Sequence, residues 1–360
     1  MGPKLRRKGN LYVTISAAFA FLLIAGSAAA AMAEPATVNA ETVTGGIPLH
    51  MWTTAAESGA SGFTPFVATA QDATVTVHDY AQYVFDHWED GSTDRTRSVA
   101  QGASSSTTTA ATIMTAYYRV EPPSIRELLP KTGMYVALYS YPGGDSWAQW
   151  QRVIDAKNAH PSVPFVVAIN PSSGPGSHNP DGNYEAGIKA MRQAGVIVLG
   201  YTYDGYGARP AQDIRADAEK YARWYGLDGL FIDEFTNRPG FEGRYRDITA
   251  YAKSIGMKMT MGNPGTDVPA SYVGTVDVLN ITEGRGYMPV SWLNGWHQDY
   301  DKRNFSYIRY DVGWLDTSFV NESSRWVGLM YIHTGNDSNG RWFSLPPYLE
   351  SAVAALDRQQ

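Results

Sequence analysis

The chain has 360 residues, of which 44% are hydrophobic and 18% charged, with 23 Tyr, 10 Trp and no Cys. That composition belongs to a globular chain, and the length suits two domains. Without Cys there are no disulfides, thiolate nucleophiles or zinc–thiolate sites, and a formal net charge of −6 weighs against nucleic acid or an anionic membrane as partner.

Residues 1–33 read as an export signal. Lys4, Arg6, Arg7 and Lys8 form a basic head, residues 11–30 are apolar, and Ala31-Met32-Ala33 gives an A-x-A cleavage pattern. An uncleaved anchor is the alternative, since about 20 apolar residues span a bilayer. Either way the remainder is expected to be secreted or held at the cell surface. The segment contains four of the 29 Lys and Arg and no acid, so the rest of the chain is more acidic still.

Residues 37–121 read as a small all-β domain. Stretches 67–77 and 83–88 are β-rich, and no helical periodicity interrupts them. The run FDHWEDGSTDRTRSV (85–99), followed by Thr115-Ala116-Tyr117-Tyr118, resembles a β-repeat module of secreted and cell-surface proteins. The resemblance implies a spacer or adhesion role and an association with the cell surface. Asp90-Gly91 predicts a hairpin turn. Glu89, Asp90 and Asp94 could be imagined as Ca²⁺ ligands, but a solvated turn is the simpler reading. Glu121-Pro122-Pro123 opens a linker over 122–132.

From residue 133 to 360 strands alternate with helical patterns eight times. The strands are expected at 134–142, 164–171, 196–207, 227–235, 257–265, 276–284, 305–312 and 327–335. Ile214, Ala218, Tyr221, Ala222 and Tyr225 mark one helical face, Tyr245, Ile248, Ala252 and Ile255 another, and the last helix is expected at 347–358. Eight units in this length predict an α/β fold, a (β/α)8 TIM barrel preceded by the small all-β domain. A doubly wound sheet is the runner-up, but YSYPGG (139–144) lacks the G-x-G-x-x-G spacing of its phosphate turn.

The fourth strand, LDGLFIDEF (227–235), carries two adjacent carboxylates, Asp233 and Glu234, at its end. Charges are rarely buried unless paired or functional. In a TIM barrel the strand ends form the active-site mouth. The other ends supply Tyr139, Tyr141, Asn170, Tyr201, Tyr203, Asp204, Asn263, Asp267, Glu283, Tyr310, Asp311, Tyr331 and His333. Carboxylates, tyrosines and asparagines suit hydrolysis of a glycosidic bond, which needs one carboxylic acid and one carboxylate. A single His makes a metal centre a poor fit, no G-x-S-x-G elbow occurs, and Arg209 and Arg285 are expected to pair with acids. No cofactor or metal is implied.

The runs LYSYPGG, AINPSSGPG, NYEAGIKAMRQAGVIVLGYTYDGYG, WYGLDGLFIDE, YAKSIGMKMTMGNPGTD, SYVGTVDVLNITEG, GWHQDYDKRNF and LDTSFV resemble the spherulin-4 family across the whole barrel region. That family is similar to fungal glycoside hydrolases that cut galactosaminogalactan, an α-1,4-linked polymer of galactose, N-acetylgalactosamine and galactosamine. The resemblance implies an endo-acting hydrolase of an extracellular polysaccharide, with Asp233, Glu234 and Glu283 as the important acids. Glu283 and Asp233 are the favoured couple, with Glu234 as an orienting or alternative acid. Neighbours on a strand face opposite sides, so which of Asp233 and Glu234 meets the sugar stays open at this level. Retention, inversion and a substrate-assisted route stay open too. Tyr139, Tyr141, Asn170, Tyr203, Asp204, Asn263, Asp311 and His333 are candidates for substrate contact. Tyr206, Trp292 and Trp342 are further groove or stacking candidates. The competing class is a non-catalytic wall, matrix or spore-coat protein that only binds glycan.

Overall fold

A computed structural model describes residues 35–69, 72–80, 82–99, 112–176, 178–336 and 342–358. The expected export signal (1–33) lies outside the described residues. Among the described residues no helix is long and apolar enough to cross a membrane.

The N-terminal region is built from short strands: β1 (Ala36–Thr42), β2 (Trp52–Ala55), β3 (Ser61–Phe63), β4 (Phe66–Ala68), β5 (Thr74–Val77), β6 (Tyr83–Trp88), β7 (Thr96–Ser98) and β8 (Thr112–Val120). Among the described residues they form two four-stranded sheets, ordered β4-β1-β8-β6 and β3-β2-β5-β7. Alternate residues of β1 are buried, the period-2 signature of a strand with one covered face. The region has its own core around Trp88, Met114 and Tyr118. Asp90-Gly91 forms a turn, with Gly91 N–H donating to the Trp88 carbonyl at 2.8 Å. It is not the expected hairpin, because β6 pairs with β8 and β7 with β5. The turn instead carries the chain from one sheet to the other. Arg97 holds it there, pairing with Glu89 at 2.8 Å and Asp90 at 2.9 Å while lying over the Trp88 ring.

Residues 122–132 do more than tether. Ser124 and Glu127 form a reciprocal capping box on helix α1 (Ile125–Leu128). Leu129 is fully buried in the barrel core, and Thr132 bonds the Ser324 and Val327 carbonyls.

The barrel strands are β9 (Gly133–Leu138), β10 (Phe165–Ile169), β11 (Ile197–Tyr203), β12 (Gly229–Asp233), β13 (Met259–Gly262), β14 (Val278–Arg285), β15 (Phe305–Tyr310) and β16 (Leu329–Ile332). All neighbours pair in parallel, and β16 closes on β9. Continuous burial along β9 and β10 is what a parallel sheet covered on both faces requires. At the start of β12 a Cβ on Gly229 would stand 1.8 Å from the Met259 carbonyl oxygen, so only glycine permits this approach of β12 to β13.

Helices α2 (Trp147–Ala159), α3 (Gly182–Gln193), α4 (Ala211–Tyr225), α5 (Glu242–Ser254), α6 (Thr317–Ser323) and α7 (Leu349–Asp357) follow six of the strands. After β13 and β14 the expected helices are absent among the described residues, and short 3-10 turns stand in their place. Pro264, Gly265, Pro269 and Gly274 break the first connection, and Gly286, Pro289 and Gly295 the second.

The N-terminal sheets dock on the barrel face opposite the strand ends. Ile47 joins the barrel core. Arg223, at the end of α4, donates to the Gly45 and Gly46 carbonyls, and Gln82 donates to the Gly256 carbonyl just before β13.

Candidate active site

A cavity of about 490 Å³ opens at the carboxyl ends of the barrel strands. Asp233, Glu234 and Glu283 all line it, together with Tyr139, Asn170 and Asn263. A larger groove, about 640 Å³, lies against α3 and α4 near the opposite face. Its buried acid, Asp228, is spent on Arg192 at 3.4 Å and Lys258 at 3.1 Å, so it offers no free pair of acids for chemistry.

Two backbone departures bring the three acids together. Glu234 follows the last residue of β12 in the left-handed region, at φ 50°. This conformation is uncommon for a non-glycine residue. It ends the strand alternation, so Asp233 and its neighbour both reach the cavity. Tyr206, also left-handed at φ 54°, donates its N–H to the Glu234 carbonyl at 2.6 Å and holds the turn. In β14 the pairing register with β15 slips between Asn280 and Thr282. Residues three apart on a regular strand face opposite sides. The bulge changes the phase, so both Asn280 and Glu283 bond the Asn263 side chain.

Asn263 is the centre of the constellation. Its Nδ2 donates to Asp233 Oδ1 at 2.9 Å and to Glu283 Oε2 at 3.0 Å. Its Oδ1 accepts from Gly265 N–H at 3.1 Å and from Asn280 Nδ2 at 2.7 Å. The other Asp233 oxygen, Oδ2, accepts from the Tyr201 hydroxyl at 3.0 Å. Asp233 is therefore oriented at both oxygens by donors. The Glu234 carboxylate has no hydrogen-bond partner among the described residues and is half-buried at the mouth.

Tyrosines wall the acids. Tyr139 meets Tyr201 edge to face at 5.6 Å, and Tyr135 stacks on Phe231 at 5.4 Å. Burial, then the Asp233 charge, pushes the Tyr201 phenol up, so it acts as a donor throughout the ordinary pH range. Burial, followed by Asp233 and Glu283, does the same for Tyr135. The Tyr135 hydroxyl is fully buried and has no partner among the described residues. Its position inside β9 reads in sequence as plain core, so no sequence signal marks it. Trp342 and the exposed Tyr206 and Phe343 also line the cavity.

Five expected substrate contacts do not line this cavity. Tyr141 is tied to the start of α3, donating to Asp181 at 3.0 Å and accepting from Asn183 at 2.7 Å. Tyr203 carries the Arg209 guanidinium on its ring at 4.5 Å. Asp204 is fully buried and takes Arg244 at 2.5 Å and the Tyr245 hydroxyl at 2.5 Å. It closes a core ion pair rather than meeting a ligand. Asp311 pairs with Arg285 at 3.0 Å on the rim. His333 is fully buried, its Nδ1 accepting from Gly335 N–H at 2.6 Å and its Nε2 donating to the Ser344 carbonyl at 2.5 Å. With both ring nitrogens bonded to backbone, it has none left for a metal or a substrate. Arg209 pairs with Asp217 at 2.8 Å, as Arg285 does with Asp311. Trp292 is exposed and does not line the cavity.

An amide N–H₂ bridging two carboxylates sets their spacing. Two acceptors about 3 Å from one nitrogen, along N–H bonds about 120° apart, lie about 5 Å from each other. Such a pair can supply one proton donor and one stabilising or attacking carboxylate to a bond held between them.

Comparison with known proteins agrees with the fold. Sph3 of Aspergillus clavatus, solved in complex with GalNAc, is 24% identical and superposes with a TM-score of 0.56, covering 63% of this chain and 98% of that one. Spherulin-4 of Physarum polycephalum is 36% identical over 155 residues, 42% of this chain and 45% of that relative, so less than half of the relative is spanned. Residues 133–356 match the spherulation-specific family 4, Spherulin4. That match takes in the closed barrel, the bridged acids and more than half of the chain: the protein belongs to the spherulation-specific family 4.

Proposed function

We propose that this protein is an endo-acting glycoside hydrolase that cleaves an α-1,4-linked polysaccharide containing N-acetylgalactosamine or galactosamine. The observation that carries the reading is the Asp233–Asn263–Glu283 bridge in an open cavity. Donors at both Asp233 oxygens orient it, which suits a nucleophile or a carboxylate that stabilises an oxocarbenium ion. Glu283 is the proton donor to the leaving oxygen. Glu234 orients the sugar from the mouth or acts as the alternative acid. A spacing near 5 Å supports retention over the wider inverting arrangement, ~6.5–9.5 Å. The GalNAc bound by Sph3 supports an amino sugar as ligand here. Tyr139, Tyr206, Trp342 and Phe343 offer aromatic faces to sugar C–H surfaces.

The basic and apolar start of the chain supports export, and the acidic remainder suits a neutral or cationic polymer. The β-module, or an uncleaved N-terminal anchor, holds the enzyme at the cell surface. Edman sequencing of protein from the culture medium, starting at Glu34, is the expected result; protein retained on membranes with an intact N-terminus supports the anchor.

Reducing-end release from galactosaminogalactan tests the activity, with the parent compared to Asp233→Asn and Glu283→Gln. Each substitution is expected to lower release by at least about 100-fold. Undiminished release in both variants overturns the assignment. No release by the parent from any amino-sugar polymer, with binding retained, favours the glycan-binding wall, matrix or coat protein.

A further inference from the structure

We propose that Asn280 is a positioning residue for the acid pair, acting through the Asn263 amide. The inference rests on the proposed hydrolase reading for its kinetic test but has a physical test of its own.

Asn263 can hold both carboxylates only in one of its two amide orientations. Turning it by 180° would point Oδ1 at Asp233 and Glu283 and Nδ2 at two donors, breaking four hydrogen bonds at once. Two groups enforce the observed orientation. The Gly265 N–H is fixed by the backbone, at 3.1 Å. The shorter bond, 2.7 Å, comes from Asn280 Nδ2. Asn280 is itself fully buried and set from behind, because the Ser306 hydroxyl lies 3.3 Å from its Oδ1. Ser306 is the register partner of Asn280 on β15 and is fully buried as well. The chain Ser306–Asn280–Asn263 thus runs from the barrel interior to the two carboxylates without a solvent-exposed member.

A buried Asn in a strand is an expensive choice unless its amide is used. Here its donor is spent on orienting another amide, and the β14 bulge is what allows Asn280 and Glu283 to address the same side chain. Chains of this kind act as a unit and are apportioned by double-mutant cycles.

The test compares Asn280→Ala, Asn263→Ala and the double variant in full-length protein. Asn280→Ala is expected to lower kcat by about 10–100-fold with KM within about twofold, as misplacement of catalytic groups does. In the Asn263→Ala background the same change is expected to cost nothing further. Parental kcat in Asn280→Ala, or a loss that adds in full on Asn263→Ala, overturns the proposal. If Asn280→Ala does not fold, Asn280→Ser is read by the same cycle.

If the parent releases no reducing ends, the hydrolase reading fails and the positioning proposal is judged by NMR. In the parent, the two Asn263 side-chain N–H resonances are expected to titrate with the carboxylates, and in the folded Asn280 variant that titration is expected to be lost. An unchanged titration overturns the proposal independently of any activity.

Discussion

The Tyr201 hydroxyl donates to Asp233 Oδ2 at 3.0 Å, across two neighbouring barrel strands. It is one of the donors that hold that carboxylate, and a hydrogen bond to a charged group is worth about 1.5–3 kcal/mol. Tyr201→Phe is therefore expected to lower kcat for polysaccharide cleavage by roughly 10–100-fold with little change in KM. Parental kcat across the pH range would show that the bond has no part in turnover.

Tyr135 carries the opposite expectation for stability. Its hydroxyl is buried without a partner among the described residues, so Tyr135→Phe removes an uncompensated desolvation cost of about 1 kcal/mol. A chain of this size should gain roughly 1–2 °C in Tm. Calorimetry decides: a lower Tm would mean that the hydroxyl is satisfied in solution.

The Asp204–Arg244 pair is a core element. Arg244→Ala leaves a fully buried carboxylate without its cation, at a cost of about 3–5 kcal/mol. Denaturant unfolding should show that loss, while the fraction still folded keeps the parental KM. A raised KM with unchanged stability would return Asp204 to the substrate.

Asp72 gives a pH-dependent prediction for the β-module. Hydrogen bonds from Ser58 and Thr69 hold its carboxyl at about 2, against an ordinary value of 3.8. The folded-state value is depressed, so the stabilisation is complete above the unfolded-chain value and disappears as pH falls through the folded one. Asp72→Asn should therefore melt several degrees below the parent at neutral pH. The two curves should converge between about pH 4 and about pH 2. A gap independent of pH would mean that the charge is not what stabilises the turn.

Much of the architecture was legible in local pattern. The run before Asp233 is apolar for the length of one strand, and the faces Ile214–Ala218–Tyr221–Tyr225 and Tyr245–Ile248–Ala252 recur as buried helix surfaces. The missing helices after β13 and β14 were written in Pro and Gly, but the eight-fold rhythm outweighed them. Asp204 looks like a substrate contact in sequence because it stands at a strand end, while its cation lies 40 residues further on. Asn280 carries no local signal, since one Asn inside VLNIT looks like any interior strand position.

The sequence by itself determined the periodicities, hence the strands, most of the helices and the barrel, and through its motifs the family and the three acids at the strand ends. Tertiary structure alone decided what those acids face. The left-handed turn at Glu234 and the bulge after Asn280 reorient side chains against the strand period, which no periodic pattern encodes. The Asn263 bridge joins residues 30 and 20 positions away in the chain. Hydrogen bonds of this kind depend on distances of a few ångströms between separate strands, and those exist only once the barrel has closed. LDGLFIDEF thus announces a pair of carboxylates, while closure of the barrel around Asn263 joins Asp233 to Glu283.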